Sequence, residues 1–129
     1  MKTILVVDDE PAIAEILLEV LADEGYHVVA ASNGREALQA LAESPPHLVL
    51  TDLMMPIMDG LALCRAMQAD PAHRAIPIVI MSAAADRAAT SACRYAAVLH
   101  KPFDLDQVLG TVVEQIGEAE APDEPNKMR

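Results

Sequence analysis

Short apolar runs alternate with longer amphipathic stretches over the first 117 residues. The runs fall at residues 4–7, 27–30, 48–50, 78–81 and 98–99, and uninterrupted runs of this length suit strands covered on both faces. After the first, Glu10-Pro11 opens a helix as proline at a first helical position does, and Ile13, Ile16, Leu17, Val20 and Leu21 form its apolar stripe up to Gly25. Asn33, with Glu36 three residues later, reads as a capping box for a helix buried through Ala37, Leu38 and Leu41 and ended by Pro45-Pro46. A third helix follows Asp59-Gly60, turns Leu61, Cys64 and Met67 inward and breaks at Asp70-Pro71, and Pro77 then starts the fourth strand.

Residues 86–94 are the weakest helix, because an Ala-rich stretch with Thr90, Ser91 and Cys93 offers propensity without a strong stripe. That segment reads as mobile or partner-facing. Asp104 and Gln107 make a second capping box, ahead of an amphipathic face of Leu105, Val108, Leu109, Val112 and Ile116 that Gly117 ends. Residues 118–129 carry Pro122, Pro125 and mixed charge with almost nothing to bury. The expected organisation is one domain over 1–117 and a disordered tail over 118–129, in which no output domain fits.

Strand and helix alternating five times, with crossovers of this length, require a parallel sheet with helices on both faces. Ligands bind at the carboxyl edge of such a sheet, so the residues that end each run decide the chemistry. The third run passes through Thr51 into Asp52, followed by Met54-Met55-Pro56 and Asp59-Gly60. The first ends in Asp8-Asp9, the fourth in Ser82, and the fifth, after His100, in Lys101-Pro102. The second ends in Ala31-Ser32 and brings neither acid nor base, which places it at the sheet margin. Singly, each group has an ordinary explanation: Asp52 caps a turn, Asp8 and Asp9 cap the following helix, Ser82 satisfies a turn and Lys101 is solvated. Those explanations do not account for the joint arrangement.

The combination resembles the receiver domain of two-component response regulators, from about Thr3 to Gly117. An acidic pair after the first strand, an Asp with Met-Pro and Asp-Gly after the third, a hydroxyl after the fourth and Lys-Pro-Phe after the fifth carry the likeness. It implies a flavodoxin-like α/β fold with strand order 2-1-3-4-5 and five helices. It also implies that Asp52 accepts a phosphoryl group from a sensor histidine kinase or histidine phosphotransfer protein, with Ser82 and Lys101 as partners of the new oxygens. A downstream target protein would read a change on the face of the fourth helix, fifth strand and fifth helix. The resemblance adds a main-chain metal ligand at Met54 and a cis peptide before Pro102. One position departs from the family: a Tyr or Phe three places before the Lys is common there, and Val98 stands here, with Tyr95 three residues earlier.

Three carboxylates gathered at one edge raise one another's pKa unless a cation compensates them. Asp8, Asp9 and Asp52 offer oxygen only, so Mg2+ or Mn2+ suits them better than zinc. His27, His47, His73 and His100 have no metal-ligand spacing and read as surface or turn residues, His100 being notable for its place beside Lys101.

Composition narrows the partners. With 129 residues and 53% hydrophobic side chains there is room for one real core. Trp is absent, Phe103 is the single Phe, and Tyr26 and Tyr95 are the tyrosines, so no aromatic platform for bases exists. A net charge of −11 would repel a phosphate backbone, which argues against direct nucleic-acid binding. Cys64 and Cys93 are too few for a disulfide scaffold and read as small buried thiols. The start of the chain has no secretory pattern and no run can span a bilayer, so a cytoplasmic protein is expected.

Two other classes remain in view. A haloacid-dehalogenase-type phosphohydrolase also uses an Asp at a strand end, but needs a second acid two positions on, where this chain has Met54. A degenerate receiver acting as a constitutive scaffold would fit Val98 but not the intact acidic set. A flavodoxin-like cofactor role lacks a glycine-rich phosphate loop after the first strand.

Overall fold

The computed structural model describes residues 1–83 and 93–119. The helix expected at 86–94 falls almost entirely outside them, as does most of the expected tail. The described elements run β1 (Thr3–Val7), α1 (Pro11–Asp23), β2 (His27–Ala31), α2 (Gly34–Glu43), β3 (Leu48–Asp52), α3 (Gly60–Ala69), β4 (Ile78–Ser82), β5 (Ala97–His100) and a C-terminal helix (Leu105–Ile116).

All five strands are parallel, in the order β2-β1-β3-β4-β5. This is the expected sheet, with β2 at the margin. Its register aligns the chemistry: Val7 is opposite Thr51, Asp52 opposite Met81, and Ser82 opposite His100. The strand ends therefore form one edge. β3 and β4 are buried at every position, as central strands covered on both faces must be.

Two apolar layers hold the sheet. One contains Leu5, Val7, Val49, Leu63, Cys64, Met67 and Ile80, and the other Ile4, Val6, Leu17, Leu21, Leu50, Met81, Val108 and Val112. Alternate residues of each strand go to opposite layers, as the pleat requires.

Helix boundaries follow local chemistry. Pro11 starts α1, and Gly25, at φ +98°, turns the chain after it. Asp104 and Gln107 form the expected reciprocal capping box. At α2 the box is rearranged: Asn33 accepts from the Glu36 N–H, but the Glu36 carboxylate accepts from the N–H and hydroxyl of Ser32 rather than the Asn33 backbone. Ser32 offers two donors in one place, which outcompetes the single amide.

Three other expectations change. Ile16 belongs to the apolar pattern of α1 but is 51% exposed, because Leu17 and Leu21 already fill the inward face. Glu118 and Ala119 are not free of the fold: the Glu118 carbonyl accepts from Lys2 Nζ and Ala119 packs against the second layer. Cys64 and Cys93 are joined as a disulfide rather than held as separate thiols, since the fold brings residues 29 apart in sequence to a Cα separation of 6.2 Å. Among the described residues no helix is long and apolar enough to cross a membrane.

Candidate functional site

β1 delivers Asp8 and Asp9. The Asp8 N–H donates to the Ala31 carbonyl at 3.1 Å, so the strand that lacks chemistry of its own positions the first acid. Asp8 is buried, and its Oδ1 accepts from the Glu10 N–H at 2.9 Å. Asp8 thus closes a turn ahead of α1 rather than capping the helix, whose N-cap Glu10 has no side-chain cap bond, and its second oxygen is left for the site. Asp9 is exposed.

β3 delivers Asp52, which is 7% exposed. Thr51 Oγ1 donates to the Asp52 carbonyl at 2.9 Å. The turn behind it is tight: the Gly60 N–H donates to the Leu53 carbonyl at 2.9 Å, and a Cβ on Gly60 would collide with the Asp52 carbonyl oxygen. Asp59 caps α3 by accepting from the Ala62 N–H. Gly34, the first residue of α2, donates to the Met58 carbonyl at 2.9 Å, and any side chain there would meet that carbonyl at 2.8 Å. Asp-Gly was legible as a turn; that both glycines clear space for the Asp52 loop was not.

Ser82 ends β4 and is buried, and its carbonyl accepts from the Lys101 N–H at 2.7 Å. This bond couples the ends of β4 and β5. The Lys101–Pro102 peptide is cis. Lys101 Nζ lies 3.1 Å from Asp8 Oδ2, 3.4 Å from Asp52 Oδ1 and 3.6 Å from Glu10 Oε1. In the sequence Glu10 reads as a helix opener, and its place directly after the acidic pair is the signal for this second role.

Carboxylate oxygens of Asp8, Asp9 and Asp52 all lie within 4.8 Å of one another. Four carboxylates, counting Glu10, face one ammonium, a formal surplus of three negative charges. Burial, then the nearby Asp8 charge, holds the Asp52 carboxyl above its ordinary pKa, and Lys101 only partly offsets this. Burial pulls the Lys101 ammonium down, but its bond to Asp8 and the Asp52 and Asp8 charges outweigh this and raise it. The set is hard, oxygen-only and short of positive charge, which fits Mg2+. The cleft, about 630 Å³, is also lined by Leu53, Met54 and Ala83. The Met54 side chain is 75% exposed.

The remaining candidates lie apart. His100 is exposed, His73 pairs with Asp70 at 3.3 Å, and His47 Nδ1 accepts from the Thr3 N–H. Val98 and Tyr95 are partly buried and pack against the same apolar layer.

Residues 4–113 match the response regulator receiver domain family. The chain belongs to that family. It is 45% identical over 85 residues, 66% of its length, to the DNA-binding response regulator MtrA of Mycolicibacterium smegmatis, and covers 36% of that protein. It is 38% identical over 127 residues, 96% of its length, to the DNA-binding transcriptional regulator NtrC of Escherichia coli K12, of which it covers 27%. The receiver domain thus spans about a third or less of these curated relatives. Among solved structures, the response regulator TrrA of Thermotoga maritima, in complex with Mg2+ and BeF, superposes with a TM-score of 0.81 at 34% identity, covering 89% of this chain and 99% of that one. The receiver domain of a Pseudomonas aeruginosa sensor histidine kinase, with magnesium coordinated in its active-site cleft, gives 0.84 at 25% identity, covering 91% and 98%.

Proposed function

We propose that this receiver domain takes a phosphoryl group from the phosphohistidine of a sensor histidine kinase or histidine phosphotransfer protein onto Asp52. The observation that carries the reading is the convergence of Asp8, Asp9 and Asp52 within 4.8 Å, with Lys101 already bridging two of them. The Asp8, Asp9 and Asp52 carboxylates and the Met54 main-chain carbonyl would hold Mg2+. When bound, the ion neutralises surplus charge and orients the phosphoryl oxygens.

An Asp52 oxygen attacks phosphorus, the phosphorus–nitrogen bond breaks, and its electron pair stays on the donor imidazole, which takes a proton. The product is an acyl phosphate, which adds about 1.5 to 2 negative charges and three strong acceptor oxygens. Lys101 exchanges its bond to Asp52 for one to a phosphoryl oxygen, and the Ser82 hydroxyl donates to another. Because the Lys101 N–H is bonded to the Ser82 carbonyl, both movements pass into β5 and the C-terminal helix, the surface a target protein would read. Slow attack of water on the acyl phosphate resets the domain. An apolar groove of Ile13, Ile16, Phe103 and Leu105 opens beside Lys101.

The test is phosphoryl incorporation from acetyl phosphate with Mg2+, read by intact mass. Wild type gains one phosphoryl group, and Asp52→Asn loses the rate by at least about a thousandfold. Equal labelling of the two would overturn the reading.

A further inference from the structure

Outside the acidic cleft, Cys64 on α3 and Cys93, ahead of β5, form a disulfide. Their Cα separation of 6.2 Å lies in the range such a bond spans without backbone movement.

The bond closes a loop of structure through the cleft. α3 begins at Gly60, which is pressed against the Asp52 and Leu53 backbone, and Cys64 lies one turn further along the same helix. From Cys93 the chain runs through Arg94 and Tyr95 into β5, whose end leads to Lys101. Asp52 and Lys101, which meet directly at 3.4 Å, are therefore also tied through the two sulfur atoms.

The surroundings suit both redox states. The Arg94 carbonyl oxygen lies 3.3 Å from Cys64 Sγ and 3.6 Å from Cys93 Sγ, and Gln68 Nε2 donates to it. Bonded sulfurs have no proton to give, and Gln68 then satisfies the carbonyl. Once the bond opens, each thiol finds that acceptor within reach. Cys64 is fully buried and Cys93 is 7% exposed, so a small reagent meets Cys93 first.

We propose that Cys64–Cys93 is a reversible redox latch that favours the unphosphorylated arrangement and so opposes phosphoryl acceptance at Asp52. This rests on the phosphoacceptor reading above. The bond coexists here with Lys101 bound to Asp8 and Asp52, the arrangement that a phosphoryl group must displace. A tie between α3 and the lead-in to β5, formed in that arrangement, resists movement of β5 away from it.

The oxidant is a low-molecular-weight disulfide. The Cys93 thiolate attacks one of its sulfurs and expels a small thiolate, leaving a mixed disulfide; the Cys64 thiolate then attacks the Cys93 sulfur and expels the second. Two protons pass from the protein thiols to the two released thiols, and two electrons reduce the small disulfide. Reduction by small thiols is the reverse. In a reducing compartment such a bond is transient and redox-sensing.

The test uses the full chain equilibrated in glutathione redox buffers, with the bond scored by alkylation and intact mass. Mg2+ and beryllofluoride are then titrated into each state and followed by amide shifts. The reduced protein binds beryllofluoride about fivefold more tightly than the oxidised, and by reciprocity saturating beryllofluoride moves the thiol–disulfide midpoint by the same factor toward the dithiol. Cys93→Ala binds like the reduced protein in either buffer. Thiols that never pair, or equal beryllofluoride affinity in both states, would overturn the latch and leave the phosphoacceptor reading standing. Binding in neither state would overturn both.

Discussion

At the amino edge of the sheet, Lys2 Nζ donates to the carbonyls of Ile116 at 2.6 Å and Glu118 at 2.8 Å, and the Tyr26 hydroxyl donates to the Gly117 carbonyl at 2.7 Å. Thr3 and His47 exchange bonds there, the His47 N–H to the Thr3 carbonyl and the Thr3 N–H to His47 Nδ1. At the carboxyl edge of the same strands, one ammonium is divided among Asp8, Asp52 and Glu10, with Asp9 beside them. Donors and acceptors match at the first edge. At the second, acceptors outnumber donors and negative charge is in surplus. The polar groups of the amino edge hold the C-terminal helix, whereas the carboxyl edge keeps an unbalanced negative charge that a cation would offset.

Substitution should separate the edges. The largest effect is expected for Gly60→Ala, where a methyl group must enter the space of the Asp52 carbonyl. Urea unfolding should show a loss of about 2 to 4 kcal/mol. Gly110→Ala, on the C-terminal helix with nothing within 4 Å of the added carbon, should instead gain roughly 0.5 to 1 kcal/mol.

Asp52→Asn comes next, with the opposite sign. Burial, then Asp8, raises the Asp52 pKa in the folded chain, so the native state takes up a proton that the unfolded state does not, and metal-free stability rises as pH falls through the folded value. Above that value the ionised carboxylate weakens the fold. The amide cannot ionise, so in chelator at neutral pH the variant should be more stable than wild type, and the gain should shrink on acidification. Mg2+ should stabilise wild type more than the variant, read from the two urea midpoints. A variant less stable than wild type in chelator would mean that attraction to Lys101 outweighs burial and the repulsion from Asp8 together.

A modest effect is expected at the amino edge. Tyr26→Phe removes one hydrogen bond to the Gly117 carbonyl and should cost about 1 kcal/mol in urea unfolding, without altering phosphoryl incorporation. A large change in incorporation would deny that the two edges are separate in function.

Much of this division is legible in the amino-acid sequence. The buried strands β3 and β4 read directly as apolar runs, because both faces are covered, and proline and glycine marked where α1, α2 and α3 begin or stop. The acids appeared as strand-end residues for the same reason: a run that ends in charge marks where the chain leaves the core. Val98 and Tyr95 were visible as departures from the family pattern, yet their shared packing against one layer was not. Ile16 misled because a helical stripe shows which face is apolar and not how much of it the sheet can cover.

The amino-acid sequence alone determined the alternation of elements, the parallel sheet and the residue types at its carboxyl edge, because periodicity and turn chemistry act over a few neighbouring residues. Only the folded arrangement decided that Lys101 bridges Asp8 and Asp52, that Ala31 positions Asp8, that Gly60 makes room for the Asp52 carbonyl, and that Cys64 meets Cys93. Each joins residues brought together by strand register or by the close approach of a helix to a strand end, and such distances are set by packing of the whole sheet rather than by any local pattern.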